Sequence, residues 1–272
     1  MLKHRVITGV VGVPLVVLAI WFGWPWFTLL IAAAALVGTY EFYRLADFGK
    51  REPLLYLGLL WTLALVVSPQ YSGPELLPLT IAAAMLISLI MLLFRPSRET
   101  AFRSWAWAIV GALYIGWMLS YWLSLRGLPD GRNWVYLAML TTFANDTGAY
   151  FIGRARGKHK MAPAISPEKT WEGAVGGLVS AIPAAVVIAI VLGLISARYG
   201  TPFVFEYWHV LLLGFLVSLF AQLGDLVESL LKRNLGVKEA GGVLPGHGGI
   251  LDRFDSLIFV GAIAYYYVIW VI

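Results

Sequence analysis

Residues 245–270, PGHGGILDRFDSLIFVGAIAYYYVIW, set a glycine-rich turn and two aspartates against an apolar run that continues to the C-terminus. At 1.5 Å per residue, about 20 apolar residues in a helix cross the ~30 Å hydrocarbon core of a bilayer. The run from position 251 to 271 has that length, so the stretch reads as a membrane helix with Asp252 and Asp255 at its start. Working outward, segments of the same kind recur near 5–22, 26–46, 53–69, 76–94, 103–125, 133–152, 171–196 and 208–231. The expected fold is all-α: a polytopic integral membrane protein of about nine transmembrane helices, N-terminus cytoplasmic.

Composition agrees. Of 272 residues, 60% are hydrophobic and 13% charged, with a mean hydropathy of +0.79, against about 25% charged in an average soluble domain. The opening MLKHR and its apolar run look like a signal peptide, but WFGWPW offers no small-residue cleavage site and a second apolar segment follows directly, so a retained helix is expected. With nine spans and a cytoplasmic N-terminus, 17 of the 20 Lys and Arg residues fall on the cytoplasmic side, leaving only Arg126, Arg132 and Arg198 outside. That asymmetry is the positive-inside bias. The net charge of +5 is therefore mostly a topology signal that also suits an anionic lipid surface, and gives no reason to expect nucleic acid. With no cysteine, disulfides and thiolate sites are excluded. The chain is expected to be a single membrane domain over 1–272, with a scaffold of helices over 1–126 and the chemistry over 127–272.

Two loops on the cytoplasmic side stand out: GRARGKHKMAPAISPEKT (153–170) and KRNLGVKEAGGVLPGHGG (232–249) are dense in charge, glycine and proline. Beside them lie carboxylates inside spans, where a charged side chain at mid-bilayer costs roughly 3 kcal/mol on insertion scales. Asp146 lies seven residues before Gly153 and Asp225 seven before Lys232, about 10 Å below each loop by helical rise. Asp252 and Asp255, three apart, share one face. Singly, each has a plain reading, as an N-cap, a first-turn acid or a partner for a nearby base. Four carboxylates from three helices at one level instead suggest a divalent-cation site, since Mg²⁺ takes one or two carboxylates and fills its octahedron with water and substrate phosphate. Mg²⁺ or Mn²⁺ is expected. Glu41 and Glu228 read as structural or interfacial. Lys169, Lys232, Arg233 and Lys238 offer charge for phosphates, and GGVLPGHGG can bring backbone N–H groups to an anion ahead of a helix N-terminus. The Walker A spacing is absent, and His247 alone reads more readily as a turn residue than as a base.

The run SLLKRNLGVKEAGGVLPGHGGILDRFDS resembles the signature of the phosphatidate cytidylyltransferases, S-x-x-K-R-x4-K-D followed by H-G-G-x-x-D-R-x-D. Ser229, Lys232, Arg233, Lys238, His247, Gly248, Gly249, Asp252, Arg253 and Asp255 stand at matching positions, while Glu239 replaces the pattern's Asp with a longer arm of the same charge. NDTGAYFIGRARGKHKMAPAISPEKTWEGAVGG is similar to a second block of that family, so the close resemblance covers roughly 141–255.

The resemblance implies a metal-dependent enzyme that makes CDP-diacylglycerol and pyrophosphate from CTP and phosphatidic acid. It implies Asp225 and Asp252 as leading metal ligands, with Asp146 and Asp255 beside them or on a second cation. Lys232, Arg233, Lys238 and Arg253 would hold the triphosphate or the lipid head group. Ser166, Lys169 and Thr170 would line the nucleotide side together with the His247-Gly248-Gly249 turn, and Asn145 would stand near the metal. CTP would enter from the cytoplasm and the diacyl tails stay in the bilayer, most simply the bacterial inner membrane. Small-residue faces such as GAVGG (173–177) suit helix packing in a monomer or a homodimer. An ion-coupled transporter is the alternative from another class; nearer ones are a CTP-dependent lipid kinase and a CDP-archaeol-type synthase.

Overall fold

The computed structural model describes residues 2–46, 52–71, 76–94, 98–243 and 248–272, with the backbone alone for 2–9, 98 and 99. Each expected apolar segment lies on a helix. These are α1 (Leu2–Phe22), α2 (Trp26–Leu45), α3 (Pro53–Val67), α4 (Leu76–Leu93), α5 (Arg98–Gly111), α6 (Met118–Gly127), α7 (Gly131–Arg156), α8 (Trp171–Arg198), α9 (Tyr207–Asn234) and α10 (Leu251–Val271). A π-helical stretch, Ala112–Trp117, joins α5 to α6 as one run. Among the described residues seven helices are long and apolar enough to cross a membrane. The protein is therefore an all-α polytopic membrane protein. Helix α7 is outside the seven because Arg132, Asn133, Asn145, Asp146, Arg154 and Arg156 interrupt its apolar character.

The chain forms two compact units. The first comprises Met1–Ser124 and Val237–Phe254, the second Leu125–Gly236 and Asp255–Ile272. In the first, Trp61, Leu65, Ala84, Ile109 and Ala112 form a core that Trp105 and Trp117 pack against. Polar groups buried there find partners, as burial requires: the Tyr43 hydroxyl donates to the Ala108 carbonyl at 2.6 Å and Trp105 Nε1 to Ser88 Oγ at 2.8 Å.

In the second unit, α7, α8 and α9 pack through small residues. A Cβ on Gly173 would stand 3.2 Å from the Gly153 Cα, one on Gly176 would strike the Ile152 side chain, and one on Gly177 would strike Asn145. The GAVGG face thus brings α8 against α7 at backbone distance, as small residues do in membrane interfaces. Between α7 and α8 the first polar loop forms a short antiparallel hairpin, β1 (Lys160–Ala162) and β2 (Ser166–Thr170), with Lys160 opposite Thr170 and Ala162 opposite Ser166. The hairpin is absent from the sequence-based expectation. Its strands are too short and irregular to show alternation, and Pro163 and Pro167 mask the pattern. It ends in a helix cap: the Thr170 side chain accepts the Gly173 N–H at 3.2 Å and starts α8.

Candidate active site

Two helices and the hairpin bring carboxylates and a lysine to one cavity of the second unit. Its volume is about 750 Å³, and Asn145, Asp146, Ser166, Lys169, Thr170 and Asp225 all line it. Six residues singled out in the sequence, spread over 80 positions, thus share one wall. Lys169 Nζ lies 2.7 Å from Asp225 Oδ2, so the end of strand β2 places its ammonium against the acid of α9. Asp146 and Asp225 act on each other electrostatically, and both act on Asp255. Three of the four expected carboxylates therefore converge.

Asn145 organises this wall. Its side chain is buried, and its Oδ1 accepts from Ser218 Oγ at 2.7 Å and from Gln222 Nε2 at 3.0 Å. With the carbonyl oxygen so held, the amide nitrogen faces Asp146 Oδ1 at 3.0 Å. Gln222 Nε2 also reaches the Ala174 carbonyl at 3.1 Å, tying α9 to α8. Ser218 and Gln222 were not singled out in the sequence. Their spacing was the available signal, because 218, 222 and 225 fall on one helical face.

Other expected site residues stand around this cavity or apart from it. Lys232 Nζ pairs with the fully buried Glu228 at 2.5 Å and acts on Asp255. Arg233 Nε donates to the Ile165 carbonyl at 3.1 Å and so holds the hairpin turn. Lys238 and Arg253 are exposed. Asp252 belongs to the first unit. There its carboxylate accepts the Ala240 N–H at 2.9 Å and the Gly249 N–H at 2.8 Å, with Gly248 before it at a φ of +78° that suits glycine. His247 lies outside the described residues.

Among the described residues no group of three or more His, Asp or Glu closes into a ready-made metal cage. The donors on the cavity wall nevertheless fit a hard cation that keeps water and substrate oxygens: Asp146 and Asp225 are two carboxylates opening on one space.

Comparison with known proteins adds the decisive observation: the model of the cytidylyltransferase family matches residues 3–271. The chain belongs to that family. Among curated members it is similar to the phosphatidate cytidylyltransferase of Bacillus subtilis, 34% identical over 271 residues, 97% of each chain. The enzyme of the same name from Staphylococcus haemolyticus is 35% identical over 86% of this chain and 87% of its own. That of Staphylococcus aureus is 38% identical over 73% of each. The cytidylyltransferase match takes in both units and not just the signature. The expectation of a nucleotidyltransferase stands with it.

Proposed function

We propose that this cytidylyltransferase uses phosphatidic acid as the acceptor: CTP and phosphatidate give CDP-diacylglycerol and pyrophosphate. The observation that carries this reading is the similarity to the Bacillus subtilis phosphatidate cytidylyltransferase across 97% of both chains. A phosphatidate oxygen attacks the α-phosphorus of CTP, a new P–O bond forms, and the bond to the β-phosphate oxygen breaks as pyrophosphate leaves. The nucleophile is already ionised, so no strong base is called for. Two anions must instead be brought together, and catalysis rests on positioning and on fixed positive charge.

In this reading Lys169 moves its ammonium between Asp225 and a phosphate, Lys232 and Arg233 add charge at the end of α9, and Ser166 and Thr170 border the nucleotide. Lys238 and Arg253, both exposed, would meet a head group. Asp146 and Asp225 would hold a Mg²⁺ with Asp255 beside them, and Asn145 fixes the Asp146 carboxylate. The assignment of Asp252 to the same role rests on the signature. When bound, the cation would neutralise charge on the transferring phosphoryl group. The proposed setting is the cytoplasmic membrane, with the cavity facing the cytoplasm.

The test is incorporation of radiolabelled CTP into chloroform-soluble lipid by detergent-purified protein supplied with phosphatidic acid, with and without Mg²⁺. Wild type is expected to form CDP-lipid only with the cation, and Asp225→Asn to lose at least a hundredfold in rate. Folded wild type that labels no lipid from phosphatidic acid would overturn the acceptor assignment.

A further inference from the structure

Glu41 lies about one turn before the C-terminus of α2, one of the scaffold helices, and the sequence reads it as structural or interfacial. Its side chain is 3% exposed, which for a carboxylate demands partners. The partners are more than 200 residues away in sequence, 210 for Leu251, and belong to the same compact unit. Glu41 Oε2 accepts the Leu251 N–H at 2.9 Å, and the backbone of Ile250 and Val243 also interacts with the carboxylate.

The approach is close enough to need glycine on both sides of the loop. The three atoms nearest a Cβ on Gly241 all belong to the Glu41 side chain, with Cδ at 2.6 Å and Cγ at 2.8 Å. A Cβ on Gly249 would stand 2.6 Å from Glu41 Oε2 and 2.8 Å from the Gly241 nitrogen. The two flanks of the glycine-rich loop, 240–243 and 248–252, therefore touch each other where they touch Glu41. Gly38, one turn earlier on α2, has Ile250 Cγ2 at 4.0 Å from its Cβ position, so the same helix face carries the contact. From the other side Asp252 accepts the N–H groups of Ala240 and Gly249. Two carboxylates thus staple the flanks, one from within the signature and one from α2.

We infer that Glu41 is a positioning residue for the reaction: it holds the flanks bearing Gly248, Gly249 and Asp252 in the arrangement that meets a substrate phosphate. The inference rests on the cytidylyltransferase reading for its activity readout. Its geometry also predicts a signal that needs no activity. The experiment uses full-length detergent-purified protein as wild type, Glu41→Ala, Gly241→Ala and the double variant. CDP-lipid formation is measured against CTP and, separately, against phosphatidate, beside hydrogen exchange at the amides of 240–243 and 248–252.

Glu41→Ala is expected to raise the KM of one of the two substrates about tenfold and to speed exchange at Leu251 by at least tenfold. Gly241→Ala should do the same, because its methyl group displaces the Glu41 carboxylate. Once Glu41 is alanine those three contacts are gone, so adding Gly241→Ala should change KM by less than twofold. A loss confined to the amount of folded enzyme, with both KM values and the Leu251 exchange unchanged, would overturn the inference, as would effects of the two substitutions that multiply. If wild type makes no CDP-lipid, the acceptor assignment fails, and the exchange at Leu251 alone decides the role of Glu41.

Discussion

Replacing Asn145 by leucine tests the polar clamp on the cavity wall. The side chains are close in size, so the change removes three hydrogen bonds and little volume: those from Ser218 at 2.7 Å and Gln222 at 3.0 Å, and that to Asp146 at 3.0 Å. At a net ~1 kcal/mol for each, Asn145→Leu should destabilise the protein by about 3 kcal/mol. Ser218→Ala removes the 2.7 Å bond to Asn145 and a longer one accepted from Gln222 at 3.3 Å, and leaves Gln222 on the Asn145 oxygen, a loss of about 1 kcal/mol. The two should not add. Ser218 is fully buried, so in the leucine background its hydroxyl has lost its acceptor, and deleting it should cost about zero or restore some stability. Equilibrium unfolding of the four proteins in one detergent, followed by near-UV circular dichroism, gives the cycle. A double variant about 4 kcal/mol less stable than wild type, the additive result, would show that Ser218 and Asn145 do not share this bond.

Two further outcomes follow from packing and charge. Glu228 is fully buried against Lys232, so Glu228→Ala should destabilise by about 3 kcal/mol or more, while Glu228→Leu with Lys232→Met recovers most of it, read as unfolding midpoints; a double variant no more stable than the single one would refute the pairing. A Cβ on Gly148 would fall on the Ser180 side chain, so Gly148→Ala should cost about 1–3 kcal/mol and Ser180→Gly should relieve it, by the same unfolding measurement.

Much of this protein was legible one segment at a time. An apolar run of bilayer length has one outcome in lipid, because backbone groups without water must bond within a helix, and each expected run is helical. The carboxylates were legible for the same reason: an acid inside such a run needs a partner, and Asp146, Asp225 and Asp255 do converge. The hairpin at 160–170 was not, since its strands are held by pairing and by the Thr170 cap and not by any periodic pattern. Ser218 and Gln222 were hidden as ordinary polar residues of a membrane helix. They gain meaning only from the Asn145 oxygen, some 75 positions away, to which both donate.

Glu41 marks the same boundary most sharply. Period, charge and composition are local properties, and they sufficed for the class of fold, for a membrane setting and, with the signature, for the family. Which acid serves a scaffold and which holds a loop depends on the contact between α2 and residues 241, 249 and 251. Tertiary structure alone brings the Leu251 N–H within hydrogen-bonding distance of the Glu41 carboxylate and sets the two glycines against it.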